Sequence, residues 1–118
     1  MAKNEVFRDA DRLQVACSDP TTPVSGDPVV YGQRPGVCEV SEDAATGLAS
    51  VKFSGEFTFS VKGIDGSGNS TVAEGDILYY VSGDTPKLSK KATGVRFGYA
   101  AGGVTSAATA TIPVIIGY

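Results

Sequence analysis

At 118 residues, with 42% apolar and 19% charged side chains, the chain has enough material for one hydrophobic core and lacks the charge excess of a disordered segment. A net charge of -3 with Lys and Arg scattered along the chain excludes a nucleic-acid binder, and the lack of any run of about 18 apolar residues excludes a membrane-spanning helix. Fifteen Gly and six Pro among many Val, Thr and Ser point instead to short strands joined by tight turns.

The polar opening Met1-Ala2-Lys3-Asn4-Glu5 lacks the apolar stretch of an export signal, so the expectation is a chain that folds in a reducing cytoplasm. Val6, Ala10 and Leu13 sit at helical spacing but are too few for more than one turn. The first strand is expected over residues 12–17, followed by the Ser18-Asp19-Pro20 break. Strands over 28–31 and 36–40 follow, the first introduced by the turn Ser25-Gly26-Asp27. Cys17 and Cys38 are the only cysteines. In a reducing compartment they are expected as free, buried thiols, the alternative being one bridge across a loop of about 20 residues.

The strongest periodicity runs over 51–62, where Val51, Phe53, Phe57, Phe59 and Val61 alternate with Lys52, Ser54, Glu56, Thr58, Ser60 and Lys62. Period two with one apolar side is a half-buried strand. Twelve residues would extend about 40 Å, well beyond an ordinary strand. A bend is therefore expected at Gly55, the only interruption of the apolar row, as at a corner where a strand passes from one sheet to another.

The loop 65–70 places oxygen side chains at alternate positions, but Ser70 and Asp76 stand where a calcium loop needs Gly and Glu, so a hairpin loop is expected. Further strands are expected over 77–81, 94–99 and 109–116. Between them, Lys87, Lys90 and Lys91 read as a solvated loop. Ala100-Ala101-Gly102-Gly103 lacks the Lys and Ser/Thr of a phosphate loop. In the last strand Ile112, Val114 and Ile116 line one side while Pro113 and Ile115 make the other apolar too. Pro113 cannot donate to a ladder, which favours an edge position, and an apolar edge calls for cover. Residues 112–116, with Tyr118, are thus candidate subunit contacts, the competing expectation being that the strand closes its own barrel.

Gly26-Asp27-Pro28-Val29-Val30-Tyr31 is similar to Gly75-Asp76-Ile77-Leu78-Tyr79-Tyr80, each followed by a Gly-Val pair, Gly36-Val37 and Gly94-Val95. The fold class expected is all-β, a small barrel or sandwich of short, mostly antiparallel strands, with two similar β units as an option. Catalytic and cofactor sites are not expected. The chain has no His, two Cys make no zinc site, and the Asp residues beside Gly serve turns.

The opening Met1 to Asp9, the block Ser25 to Gly32, the strand ending Phe57-Thr58-Phe59-Ser60-Val61-Lys62-Gly63 and the block Gly75 to Tyr80 occur in an order that resembles the predicted capsid decoration, or cement, proteins of tailed bacteriophages. The resemblance spans nearly the whole chain. It implies a β-rich virion protein made in the host cytoplasm that binds the outside of the head, with the major capsid protein as partner, as a homotrimer, without cofactor or small-molecule substrate. It also implies an extended arm against the shell, for which residues 1–11 are the candidate, with Lys3, Arg8 and Arg12 as contacts. A carbohydrate- or receptor-binding module of a phage fibre is the alternative.

Overall fold

The structure is a computed structural model that describes residues 12–117. The described residues form eleven strands and no helix. They are β1 (Arg12–Val15), β2 (Pro28–Tyr31), β3 (Arg34–Asp43), β4 (Leu48–Lys52), β5 (Gly55–Lys62), β6 (Ile64–Asp65), β7 (Gly68–Asn69), β8 (Ile77–Tyr80), β9 (Leu88–Ser89), β10 (Val95–Ala100) and β11 (Thr109–Ile116). The first four make an open sheet in the order β1-β4-β3-β2, and β5, β11, β10, β8 and β9 close a barrel. All ladders are antiparallel except the contact of β9 with β5 at Leu88 and Val61. The fold is therefore all-β, as the turn density and alternation indicate.

The long alternating segment is divided as its length demands. The chain leaves the sheet after Lys52 and enters the barrel at Gly55, whose φ of +111° is open to glycine and strained for other residues. Val51 and Phe53 pack into one core with Leu13, Val15, Cys17, Val29, Cys38 and Ala49. Phe59 and Val61 pack into the other, which fills the barrel with Leu78, Tyr80, Leu88, Phe97, Ile112, Val114 and Ile116. One amphipathic run thus supplies two cores, in a molecule whose extents are 48 × 33 × 22 Å.

The internal similarity is structural. Reading round the barrel, β5-β11-β10-β8 repeats the order β1-β4-β3-β2. The turns entering β2 and β8 match bond for bond. Val24 N–H donates to Asp27 Oδ2 at 3.0 Å, and Ala73 N–H to Asp76 Oδ2 at 2.8 Å. Gly26 N–H donates to Cys38 O and Gly75 N–H to Ala100 O, both at 2.7 Å, with φ of +92° at each glycine. The register corrects one pairing expected from the sequence. Val37 and Tyr99 oppose the strand-opening residues Pro28 and Ile77, so Gly36 is matched by Gly98 and not by Gly94. A Cβ on Gly36 would lie 2.9 Å from Lys52 O, and one on Gly98 2.0 Å from the equivalent Ile115 O, so both strands need glycine for close approach to their neighbour.

The two units are joined through the reverse side of the first. Val29 and Cys38 point into the first core, whereas Val30 and Val37, the alternate residues of the same strands, point the other way and join the barrel core. The unit interface is therefore continuous with the barrel interior.

Candidate interaction surface

The last strand corrects the edge expectation. β11 lies inside the barrel wall, paired with β10 on one side and with β5 over its whole length on the other. Pro113 is accommodated because its backbone faces the end of β10, where Ala101 donates to Pro113 O at 2.9 Å and the chain then turns away. Ile112, Val114 and Ile116 are buried in the barrel, so these three candidate contacts belong to the molecule's own core and cannot reach a neighbour. The expectation that the strand closes its own barrel holds instead. Pro113 and Ile115 are exposed on the outside, Ile115 by 44%.

Register shows what stands beside them. Ile77 opposes Tyr99, Tyr99 opposes Ile115, and Ile115 opposes Glu56, so one outward row crosses β8, β10, β11 and β5. Tyr79 and Arg96, directly opposite each other, extend the row at one end. The Arg96 guanidinium lies 5.5 Å from the Tyr99 ring centroid and donates to the Tyr99 hydroxyl. Thr58, Ser60 and Thr111 continue the surface on β5 and β11. It is a sheet face with half-buried Ile77, Tyr79, Arg96 and Tyr99 beside exposed Pro113 and Ile115, and with hydroxyl side chains around them, a mixture typical of protein contact surfaces. Sequence reading found Pro113 and Ile115 and missed Ile77, Tyr79, Arg96 and Tyr99. The available signal was Ile77-Leu78-Tyr79-Tyr80, a strand apolar on both sides as β11 is.

The other predicted contacts fall elsewhere. Lys3, Arg8 and Tyr118, and the expected arm up to residue 11, lie outside the described residues. Arg12, on β1, makes a two-pronged contact with Glu39, at 2.6 and 3.2 Å. Each lysine of the basic loop has an acidic neighbour: Lys87 lies 3.7 Å from Asp19, Lys90 3.3 Å from Asp76 and Lys91 3.6 Å from Asp84. These pairings leave no concentrated positive field there.

A cleft of about 620 Å³ opens at the unit interface, with Asp19, Val30, Tyr80, Val95 and Arg96 among its walls. Tyr80 is 2% exposed, and its hydroxyl lies beside Asp19 without full hydrogen-bond geometry. Burial first, then the Asp19 carboxylate, push its phenol far above the ordinary range, so it stays neutral. A second cleft of about 530 Å³ is bounded by β1, Tyr31 and Leu48. Cys17 and Cys38 are free and buried, and burial raises both thiols, Cys17 further through Glu42 and Cys38 through Cys17 and Asp27. Such thiols are poor nucleophiles. In the loop 65–70, Asp65 Oδ1 accepts from Ser67 N–H and Gly68 N–H, which lowers its pKa and closes the β6–β7 hairpin. Among the described residues no three His, Cys, Asp or Glu side chains gather as a metal site.

No protein-family model, curated protein or solved structure matches this chain.

Proposed function

We propose that the protein is a structural component of a tailed-phage virion that binds the outer surface of the assembled head and reinforces the shell. The observation that carries this reading is the outward row Ile77–Tyr99–Ile115 on the wall of a closed barrel, in which half-buried Ile77 and Tyr99 lead to exposed Ile115, a composition suited to a protein partner. The order of the motifs along the chain supports it independently. In this reading the partner is the major capsid protein, the head-bound form is a homotrimer, and the protein carries out no reaction.

The test is addition of purified protein to undecorated heads of the source phage, followed by sedimentation of the heads. The wild-type chain is expected to co-sediment at saturable stoichiometry, and Ile115→Asp to lose most of that binding while keeping its β-sheet circular dichroism. Failure of the wild type to bind, or its absence from purified virions, would overturn the reading. One observation favours a carbohydrate- or receptor-binding module as a second reading: Tyr31 is 46% exposed beside the second cleft. Binding on a glycan array that is lost in Tyr31→Ala would establish that reading in place of the first.

A further inference from the structure

The cleft at the seam between the units, about 620 Å³, has the volume of a small-molecule site. The first unit contributes Asp19, Val30 and Gln33 to its walls, and the second Tyr80, Ser82 and Thr93 among others. Two polar atoms of these walls, Tyr80 Oη and Asp19 Oδ2, have no hydrogen-bond partner. The Tyr80 hydroxyl lies beside the Asp19 carboxylate without the geometry of a bond, and Lys87 Nζ, 3.7 Å from Asp19 Oδ2, is an ion-pair neighbour beyond hydrogen-bond reach. Tyr80 is 2% exposed, and its ring is fixed by stacking on Phe97, with centroids 6.4 Å apart. A buried hydroxyl held in this way costs the folded chain stability until something completes it.

The two orphan atoms define the group that fits them. A phenol offers one proton and a carboxylate only acceptors, so the missing group accepts from Tyr80 and donates to Asp19. A hydroxyl does both with a single oxygen. An ammonium donates to both and leaves the phenol proton unplaced, and a carboxylate meets Asp19 with like charge. Exposed Gln33, Ser82 and Thr93 bring further donors and acceptors to the rim, and Val30 and Val95 supply an apolar wall. We propose that the seam cleft binds a mono- or disaccharide, one hydroxyl of which bridges Tyr80 Oη and Asp19 Oδ2 while its C–H face lies against Val30 and Val95. Both orphan atoms lie behind the cleft surface, so that hydroxyl enters by a rotation of the Asp19 carboxylate, whose side chain is 29% exposed. The site goes beyond head binding, which takes no part in its test, and it is a different cleft from the one beside Tyr31.

The experiment titrates the isotope-labelled full chain with D-glucose, D-galactose, D-mannose and N-acetyl-D-glucosamine and follows the backbone amide NMR shifts. At least one sugar is expected to shift the amides of Asp19, Ser82 and Thr93 saturably. Tyr80→Phe and Asp19→Ala are each expected to weaken that binding about tenfold or more, the effect of losing one hydrogen bond. Tyr31→Ala is expected to leave it unchanged. Because the Tyr80 hydroxyl has no partner in the free protein, Tyr80→Phe is expected to keep the wild-type melting temperature, whereas loss of a hydroxyl that braces the fold would lower it. No saturable shift by any of the four sugars up to about 100 mM overturns the proposal, since weaker contacts have negligible affinity. A Tyr80→Phe protein that binds as the wild type does, or that melts lower, overturns it equally. Binding that survives Tyr80→Phe and Asp19→Ala but is lost in Tyr31→Ala overturns it in favour of the second cleft. If Asp19→Ala unfolds, Asp19→Asn takes its place, with the same direction of change expected.

Discussion

Asp76 shows how one side chain ties a turn to its surroundings. Its carboxylate accepts the Ala73 N–H and lies 3.3 Å from Lys90, which also donates to Thr71 O and Ser70 Oγ. The Ala73 bond is the main cause of its lowered pKa, opposed by partial burial and aided by Lys90. A carboxyl whose folded pKa lies below the unfolded value of about 3.9 contributes stability that is complete above that value and is lost as pH falls through the folded value. Urea midpoints measured between pH 5 and pH 2 should fall for the wild type and fall less for Asp76→Asn. Equal slopes would show that the turn does not sense the charge. At Gly98 sterics decide, because a Cβ would lie 2.0 Å from backbone, which cannot rotate away. Gly98→Ala is expected to cost at least about 2 kcal/mol in urea unfolding by forcing β10 off β11. A cost below half of that would mean that the strands part easily.

Within an element, alternation decides which substitutions matter. In β11, Val114 is fully buried between Phe57 and Ala100, its cross-strand partners, and Ile115 next to it is exposed. Val114→Ala should therefore cost about 2 kcal/mol through a cavity, and Ile115→Ala less than about 1 kcal/mol. Comparable losses at the two positions would put the strand in a different register. β2 obeys the same rule with a different result. Val29 and Val30 are both buried because each side of that strand meets a core. The alternation in 51–62 was legible because one of its sides is solvated. β9 was not legible, since two residues, Leu88 and Ser89, carry no periodicity and become a strand only by completing the barrel between β8 and β5.

At the scale of the whole molecule, the reverse side of the first sheet joins the barrel core through Val30 and Val37, so neither unit's packing is complete without the other. Unfolding in urea is expected as one transition, with tyrosine fluorescence and far-ultraviolet circular dichroism tracing the same curve. Two separated transitions would show that the units are energetically independent. Lys87 of the second unit, facing Asp19 of the first at 3.7 Å, adds a partly solvated tie of the kind that contributes little beside the apolar seam.

Alternation, turn residues and the absence of histidine determined by themselves that the chain is all-β, that it bends at Gly55, and that no His-based catalytic or metal site exists. These are local properties, readable because a strand's period and a glycine's freedom do not depend on distant residues. Tertiary structure alone decided that β11 is an interior strand, that Gly36 is matched by Gly98, and that Ile115 shares a surface with Tyr99 and Ile77. Those facts rest on register between strands far apart in sequence. A shift of one residue in that register would exchange every buried side chain for its exposed neighbour.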